Sequence, residues 1–330
     1  MSREARPTPH ADRKSLEDVP AREPRITVCI CTHNRSHSLK RTLESLAGCQ
    51  LTRTVDWELL LVDNNSSDST ASLAHSYASR LPLRYVFEPA EGLSNARNRA
   101  LDECLAETIV FTDDDVRVEP IWLAEMLKAV DSRPDVDYFG GRILTEWPNG
   151  RPRWLRDEGL PLLGGLLVHY DLGTELRDYE PTDPLPFGAN MALRRRLFAE
   201  VGTFRTELGP IGGTPGRGDD SEYISRSRSH GFSGCYVGTA TVYHWTNPKR
   251  LTLSYLYRYG IEKGRAEPAL HPDRSNRGSR RRQVLYLVRG LGQLAKGRGD
   301  RFRQCIINTG IEAGLLENAS VHRAQSHPGP

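Results

Sequence analysis

The sequence predicts an α/β fold, a mostly parallel central sheet flanked by helices with a helical C-terminal appendage, and three observations predict it. Short apolar, β-rich runs alternate with helical periodicity between residues 26 and 130, as in a sheet built from crossover units. The first four of these runs end in bulky polar residues where a plain turn needs only Gly, Asn or Ser. Beyond Pro248 the pattern becomes helical and rich in arginine.

The elements follow in order. Residues 1–23 are polar, charged and without periodicity, and read as a disordered arm. Ile26-Thr27-Val28-Cys29-Ile30-Cys31 is a buried strand, after which Ser36 is placed to cap a helix on Leu39, Leu43 and Leu46 that stops at Gly48. Glu58 to Val62 is the second strand, followed by a helix on Leu73, Tyr77 and Leu81. Arg84 to Phe87 is the third, and Gly92 leads into a helix through Ala96, Ala100 and Cys104. Thr108 to Phe111 is the fourth, and Pro120 opens a helix with Leu123, Met126, Leu127 and Val130 inward. After about residue 137 the alternation loosens, leaving a helix near Arg194 to Val201 and a strand at Thr239 to Tyr243. Two amphipathic helices close the chain, one on Val284, Leu287, Val288 and Leu291, the other on Phe302, Ile306 and Ala313. The expected organisation is a catalytic domain over 24–247, divided into halves 24–136 and 137–247, then a basic helical region over 248–330.

Composition narrows the function classes. The chain has 330 residues, 38% hydrophobic and 26% charged, enough for one large α/β domain with an appendage. No run approaches the roughly 20 consecutive apolar residues of a membrane span, the N-terminus has no apolar signal core, and six scattered cysteines suit a reducing compartment. The expected location is therefore the cytoplasm. A net charge of +3 gives no ground for a nucleic-acid partner. Between Lys249 and Arg303, however, fifteen basic residues face four acidic ones. That surface suits peripheral contact with the anionic inner face of a membrane, and equally packing on the catalytic domain or a homodimer contact.

In open α/β sheets ligands bind beyond the carboxyl ends of the strands. Those ends are Thr32-His33-Asn34-Arg35, Asp63-Asn64-Asn65, Glu88-Pro89-Ala90-Glu91-Gly92 and Asp113-Asp114-Asp115. One acidic strand end is as readily a solvated loop, but four polar ends in one sheet point to a site. In extended chain Asp113 and Asp115 face one way and Asp114 another. Adjacent carboxylates repel unless compensated, and a hard cation such as Mg²⁺ or Mn²⁺ bound together with phosphate oxygens meets that need.

Taken in order, these segments resemble a family 2 glycosyltransferase of the GT-A fold over about residues 25 to 246. The matching motifs are Val28-Cys29-Ile30-Cys31-Thr32-His33-Asn34-Arg35, Leu61-Val62-Asp63-Asn64-Asn65-Ser66-Ser67-Asp68, Gly92-Leu93-Ser94-Asn95-Ala96-Arg97-Asn98, and Phe111-Thr112-Asp113-Asp114-Asp115 as the DxD motif. Phe187-Gly188-Ala189-Asn190 and Gly218-Asp219-Asp220-Ser221-Glu222 complete the set. The resemblance implies an inverting transfer from a nucleotide-diphospho-sugar to a glycan, lipid-linked glycan or small-molecule acceptor. It places Thr32, Asn34, Arg35, Asp63, Asn65, Arg97, Asn98, Asp113 and Asp114 around the donor, with Asp63 on the base, which favours uracil or thymine, and Arg97 on the diphosphate. Asp115 and His244 are the implied metal ligands. Asp220 is the implied base, with Asp219 its rival because the family's usual Glu-Asp pair is Asp-Asp here. Asn190, Glu222 and Trp147 fall on the acceptor side. Gly212, Gly213, Gly216 and Gly218 suggest a loop that orders over the donor. A metal-dependent nucleotidyltransferase and an inactive sugar-nucleotide-binding module are the alternatives. Against the first, Thr32-His33-Asn34-Arg35 stands where such enzymes usually carry a glycine-rich basic loop after strand one; against the second, Asp113, Asp115, Asp220 and Glu222 all remain.

Overall fold

The computed structural model describes residues 23–50, 56–210, 218–270 and 278–326. The expected arm up to residue 22, Gly212, Gly213 and Gly216 of the expected mobile loop, and Arg274 and Arg277 of the basic segment lie outside the described residues.

The first half follows the expected alternation: β1 (Ile26–Thr32), α1 (Ser36–Ala47), β2 (Trp57–Asp63), α2 (Thr70–Tyr77), β3 (Leu83–Phe87), α3 (Leu93–Glu103) and β4 (Thr108–Asp113). There follow β5 (Val116–Val118), α4 (Trp122–Ser132), β6 (Tyr138–Glu146), the short helices α5 (Gly159–Leu162) and α6 (Gly164–Leu167), β7 (Leu176–Asp178), β8 (Asn190–Arg194) and α7 (Arg195–Val201). The chain ends in α8 (Asp219–Ser229), β9 (Gly234–Trp245), α9 (Leu253–Leu270), α10 (Ser279–Ala295) and α11 (Gly299–Ser326).

One nine-stranded sheet has the order β3-β2-β1-β4-β8-β6-β9-β5, with β7 also paired to β9. The parallel expectation holds for β3, β2, β1 and β4. Past β4 the sheet is mixed: β8 runs antiparallel between β4 and β6, β6 is parallel to β9, and β5 and β7 are antiparallel to β9. Loops and short helices join several strands of this half, and without a full crossover helix neighbouring strands are free to pair antiparallel.

Side-chain alternation in the first strands feeds two cores. Ile26, Val28 and Ile30 of β1, with Trp57, Leu59 and Leu61 of β2, join Leu39, Leu43 and Leu46 of α1 and Trp122 of α4 on one face. Cys29, Leu60 and Val62 join Ala96 and Ala100 of α3 and Tyr223 of α8 on the other. Burying each of these leucines contributes about 1.5–3 kcal/mol, which fixes the strand ends against the helices.

Three local expectations are corrected. Ser36 is the first residue of α1 rather than its cap, and its backbone N–H donates to the Asp68 carboxylate at 2.9 Å. The final strand is much longer than Thr239 to Tyr243. Three helices, not two, follow Pro248, because α9 precedes the expected pair. Helix α9 packs on α11 through glycine: a Cβ at Gly260 or Gly264 would lie 2.2 or 2.1 Å from the backbone oxygen of Ile307 or Ile311. A Cβ at Gly310 or Gly314 would meet the Tyr257 or Ile261 oxygen at 2.3 or 2.1 Å. Leu256, Tyr259, Ile307, Ile311 and Leu315 then seat this pair on Leu155, Leu163, Leu166 and Leu167.

Candidate active site

Register brings the strand ends together, with Thr32 of β1 opposite Asp63 of β2 and Cys31 opposite Asp113 of β4. Above them opens a cleft of about 540 Å³. One wall carries Thr32, Arg35, Asp113, Asp114, Asp115 and His244; another carries Arg97, Asp219 and Asp220; α9 contributes a third.

The three aspartates of the first wall have separate surroundings. Thr32 Oγ1 and Arg35 Nη1 each donate to Asp114 at 2.7 Å, so this buried residue braces the turn. Burial pushes its carboxyl up to about 7, against the pull of Arg35. Asp115 is equally buried; its Oδ2 accepts from Arg35 Nη2 at 2.6 Å and lies 3.9 Å from Arg250 Nη2. Burial alone would raise the Asp115 carboxyl, but His244, Arg35 and Arg250 together outweigh it and hold the group well below the usual carboxylate range. Pairing of Val116 with His244 in the β5–β9 ladder brings the imidazole to this turn. His244 Nε2 lies 3.1 Å from Asp115 Oδ1 and 3.9 Å from Asp113 Oδ2.

These residues fit a divalent cation. One ligand atom from each of Asp113, Asp115 and His244 falls within 4.8 Å of the others. Asp115 Oδ1 is buried, with His244 Nε2 at 3.1 Å and no other polar partner among the described residues. Two carboxylates and an imidazole form a donor set suited to Mn²⁺ or Mg²⁺ with phosphate completing the shell.

On the opposite wall Arg97 Nη1 donates to Asp219 Oδ2, both side chains being almost fully buried. Burial pushes the Asp219 carboxyl up while Arg97 pulls it back. The pair is also sterically enforced, since a Cβ on Gly188 would lie 1.9 Å from Arg97 Nη2. Asp220 is half-buried and accepts from Gly188 N at 3.0 Å, Ser221 N at 2.8 Å and, weakly, the Ser221 hydroxyl at 3.4 Å, with no cation paired to it among the described residues. It faces the cleft with lone pairs to spare.

The other expected residues divide between the strand-end loops and the interior. Asp63 accepts from Ser66 N and the Tyr85 hydroxyl at 2.9 and 2.7 Å. Asn34 and Asn65 both take positive φ; Asn34 Oδ1 accepts from Ser67 N and Asp68 N, and Asn65 reaches Glu91 at 3.4 Å. Asn98 clasps the Phe204 backbone through both its amide atoms. Asn190 is fully buried, accepting from Trp122 Nε1 and donating to the Arg142 and Ala240 carbonyls. Glu222 pairs with Arg205 and Arg226, and Trp147 packs beside the α9–α11 core. Asn34, buried Asp63, Asn65, Asn98, Asn190, Glu222 and Trp147 thus sit outside the cleft lining, the first three next to its members His33 and Asn64.

Arg250, Tyr255, Arg258, Tyr259 and Lys263, from the α9 region, do line it. In the sequence the cations among them belong to an undifferentiated basic stretch. Only the helical spacing of Tyr255, Tyr259 and Ala266 gave a signal that one face of this segment packs inward.

Comparison with known proteins agrees with this geometry. The model of "Glycosyl transferase family 2" matches residues 27–202. The chain is similar to the succinoglycan biosynthesis protein ExoM of Rhizobium meliloti, 23% identical over 254 residues and 76% of each chain. It is 35% identical to a validoxylamine A glucosyltransferase of Streptomyces hygroscopicus subsp. jinggangensis over 108 residues, 32% of this chain and 25% of that one. Among solved structures, a Pyrobaculum calidifontis mannosyltransferase in complex with GDP-Man and Mn²⁺ superposes with a TM-score of 0.58 at 18% identity, covering 90% of this chain and 89% of that one. S. aureus TarS in complex with UDP-GlcNAc gives 0.52 at 14% identity, covering 91% and 92%. With its GT-A sheet and its acidic group beside the strand ends, the chain belongs to glycosyl transferase family 2 and is a glycosyltransferase.

Proposed function

We propose that this glycosyltransferase moves a sugar, with inversion, from a uridine-diphosphate donor to a hydroxyl of a glycan, lipid-linked glycan or small molecule. Residues 24–136 serve as the donor half and 137–247 contribute to the acceptor side. The observation that carries the reading is the convergence of Asp113, Asp115 and His244 on one point of a cleft whose facing wall presents Asp220.

Each residue's part follows from its surroundings. Asp63 keeps a second lone pair on each oxygen and can accept from the imide N–H of uracil at the end of β2. Asp113, Asp115 and His244 hold the divalent cation, which when bound offsets the charge gathering on the departing diphosphate. Arg35 keeps Asp115 ionised and oriented, as a second layer around a metal site does. Arg250, Arg258 and Lys263 set positive charge beside the same space, where a diphosphate needs it. Asp220 takes the acceptor proton, since Asp219 is engaged by Arg97. Tyr255 and Tyr259 offer rings against which an acceptor sugar can stack.

Nucleotide release from a panel of UDP-, GDP- and dTDP-sugars, with and without Mn²⁺, tests the reading. The expected result is metal-dependent hydrolysis of a UDP-sugar that disappears in Asp115→Asn. Turnover confined to GDP-sugars, or unchanged by metal removal, overturns the donor or the metal assignment respectively.

A further inference from the structure

Helix α10 is mounted with its apolar side outward. Its covered side consists of Ser279, Gln283, Tyr286, Gly290 and Gln293, with Gly290 resting on Phe302 and Cys305 of α11. Val284, Leu285, Leu287, Val288, Leu291 and Leu294 are instead between 43% and 65% exposed. They are six of the thirteen large apolar side chains exposed among the described residues, and they lie on one helix at three- and four-residue spacing. A contiguous apolar face of this kind marks a contact with something.

Charge selects the occupant. Helix α10 contains four arginines and no acid, and exposed Arg280, Arg281 and Arg289 flank the apolar stripe, with Lys296 just past its end. A two-fold-related second copy would bring this same surface against itself and set cation against cation around the apolar contact. An anionic lipid surface satisfies both features, since acyl chains accept the leucines and headgroup phosphates accept the arginines. Among the described residues no helix is long and apolar enough to cross a membrane, so the contact is one of lying flat rather than spanning.

We propose that α10 docks the enzyme on an anionic phospholipid surface, with Val284, Leu287, Val288 and Leu291 entering the acyl boundary and Arg280, Arg281 and Arg289 at the phosphates. This surface stands apart from the donor chemistry, so its test does not depend on turnover. The full chain is centrifuged with phosphatidylcholine vesicles with and without phosphatidylglycerol, as wild type, as Leu287→Gln/Leu291→Gln and as Arg280→Gln/Arg281→Gln. Wild type is expected to partition onto the anionic vesicles alone, and less so as salt is raised. The arginine pair should weaken partition about thirtyfold, and the leucine pair about tenfold or more per residue. All replaced side chains are exposed, so unfolding temperature and donor hydrolysis should stay at wild-type values. Equal partition onto neutral and anionic vesicles overturns the proposal, as does unchanged partition in both variants. A dimer that the leucine pair dissociates, with no vesicle binding by wild type, gives the face to a second copy instead.

Discussion

At the end of β4, Asp114 engages Thr32 and Arg35 while Asp113 and Asp115 turn toward His244; at the start of α8, Asp219 engages Arg97 while Asp220 meets the cleft with neutral donors, Gly188 N and Ser221. In each wall one aspartate is held by an arginine and a neighbour is left for chemistry. The arginines differ in setting. Arg35 is 42% exposed and touches a ligand of the metal site as well as its brace, whereas Arg97 is 4% exposed and fixed against Gly188. Disturbance of the first wall should therefore appear as lost metal affinity, and disturbance of the second as lost stability.

The sharpest test of that difference compares the two adjacent aspartates of α8. Asp220→Asn should lower kcat by about 10²–10⁴ with no change in urea unfolding. Asp219→Asn should instead destabilise the fold by about 3–5 kcal/mol, because it strands a buried guanidinium without its counter-charge. The opposite outcome would exchange their roles. On the other wall, Arg35→Ala should weaken Mn²⁺ binding about 10–100-fold by calorimetry, with only a small shift in melting temperature.

Gly188→Ala is next in size. Its Cβ must displace the Arg97 guanidinium, at about 1–3 kcal/mol of overpacking, and donor turnover should fall with stability. Wild-type stability in that variant would show that the second wall can yield. The smallest effect lies outside the cleft, at exposed Asp68, which sets the baseline for a carboxylate with no arginine partner. Slight burial would raise this carboxyl, but donors from Thr70 and Ser36 outweigh it and hold the group at about 2. Its folded value lies below the unfolded one of about 3.9, so its stabilisation is present above about pH 4 and disappears as pH falls through about 2. The melting-temperature gap between wild type and Asp68→Asn should close over that interval.

How much the sequence disclosed depended on whether the determinant was local. The alternation from β1 to β4 was legible because each apolar run and its helix are contiguous in the chain, and the strand-end acids could be read from position alone. The mixed pairing of β8, β6 and β9 joins segments far apart in sequence, which periodicity does not report. Arg97 stands where a free phosphate ligand is expected, and its partner Asp219 is 122 residues away. Asn190 and Glu222 have the residue types of an acceptor site, yet their hydrogen bonds and ion pairs are internal. Helix α9 was overlooked because much of its contact with α11 is glycine on backbone, which apolar spacing does not register. In α10 the apolar period was plain, but not that the stripe faces outward.

The glycine seam between α9 and α11 has a mechanical meaning. Backbone resting on backbone leaves no room for a side chain between the two helices, so they pack as one unit. That body carries α10 on one flank and holds Arg258 and Lys263 over the cleft on the other. The outer helix and the cleft wall therefore share one support, α11, which contacts both α9 and α10.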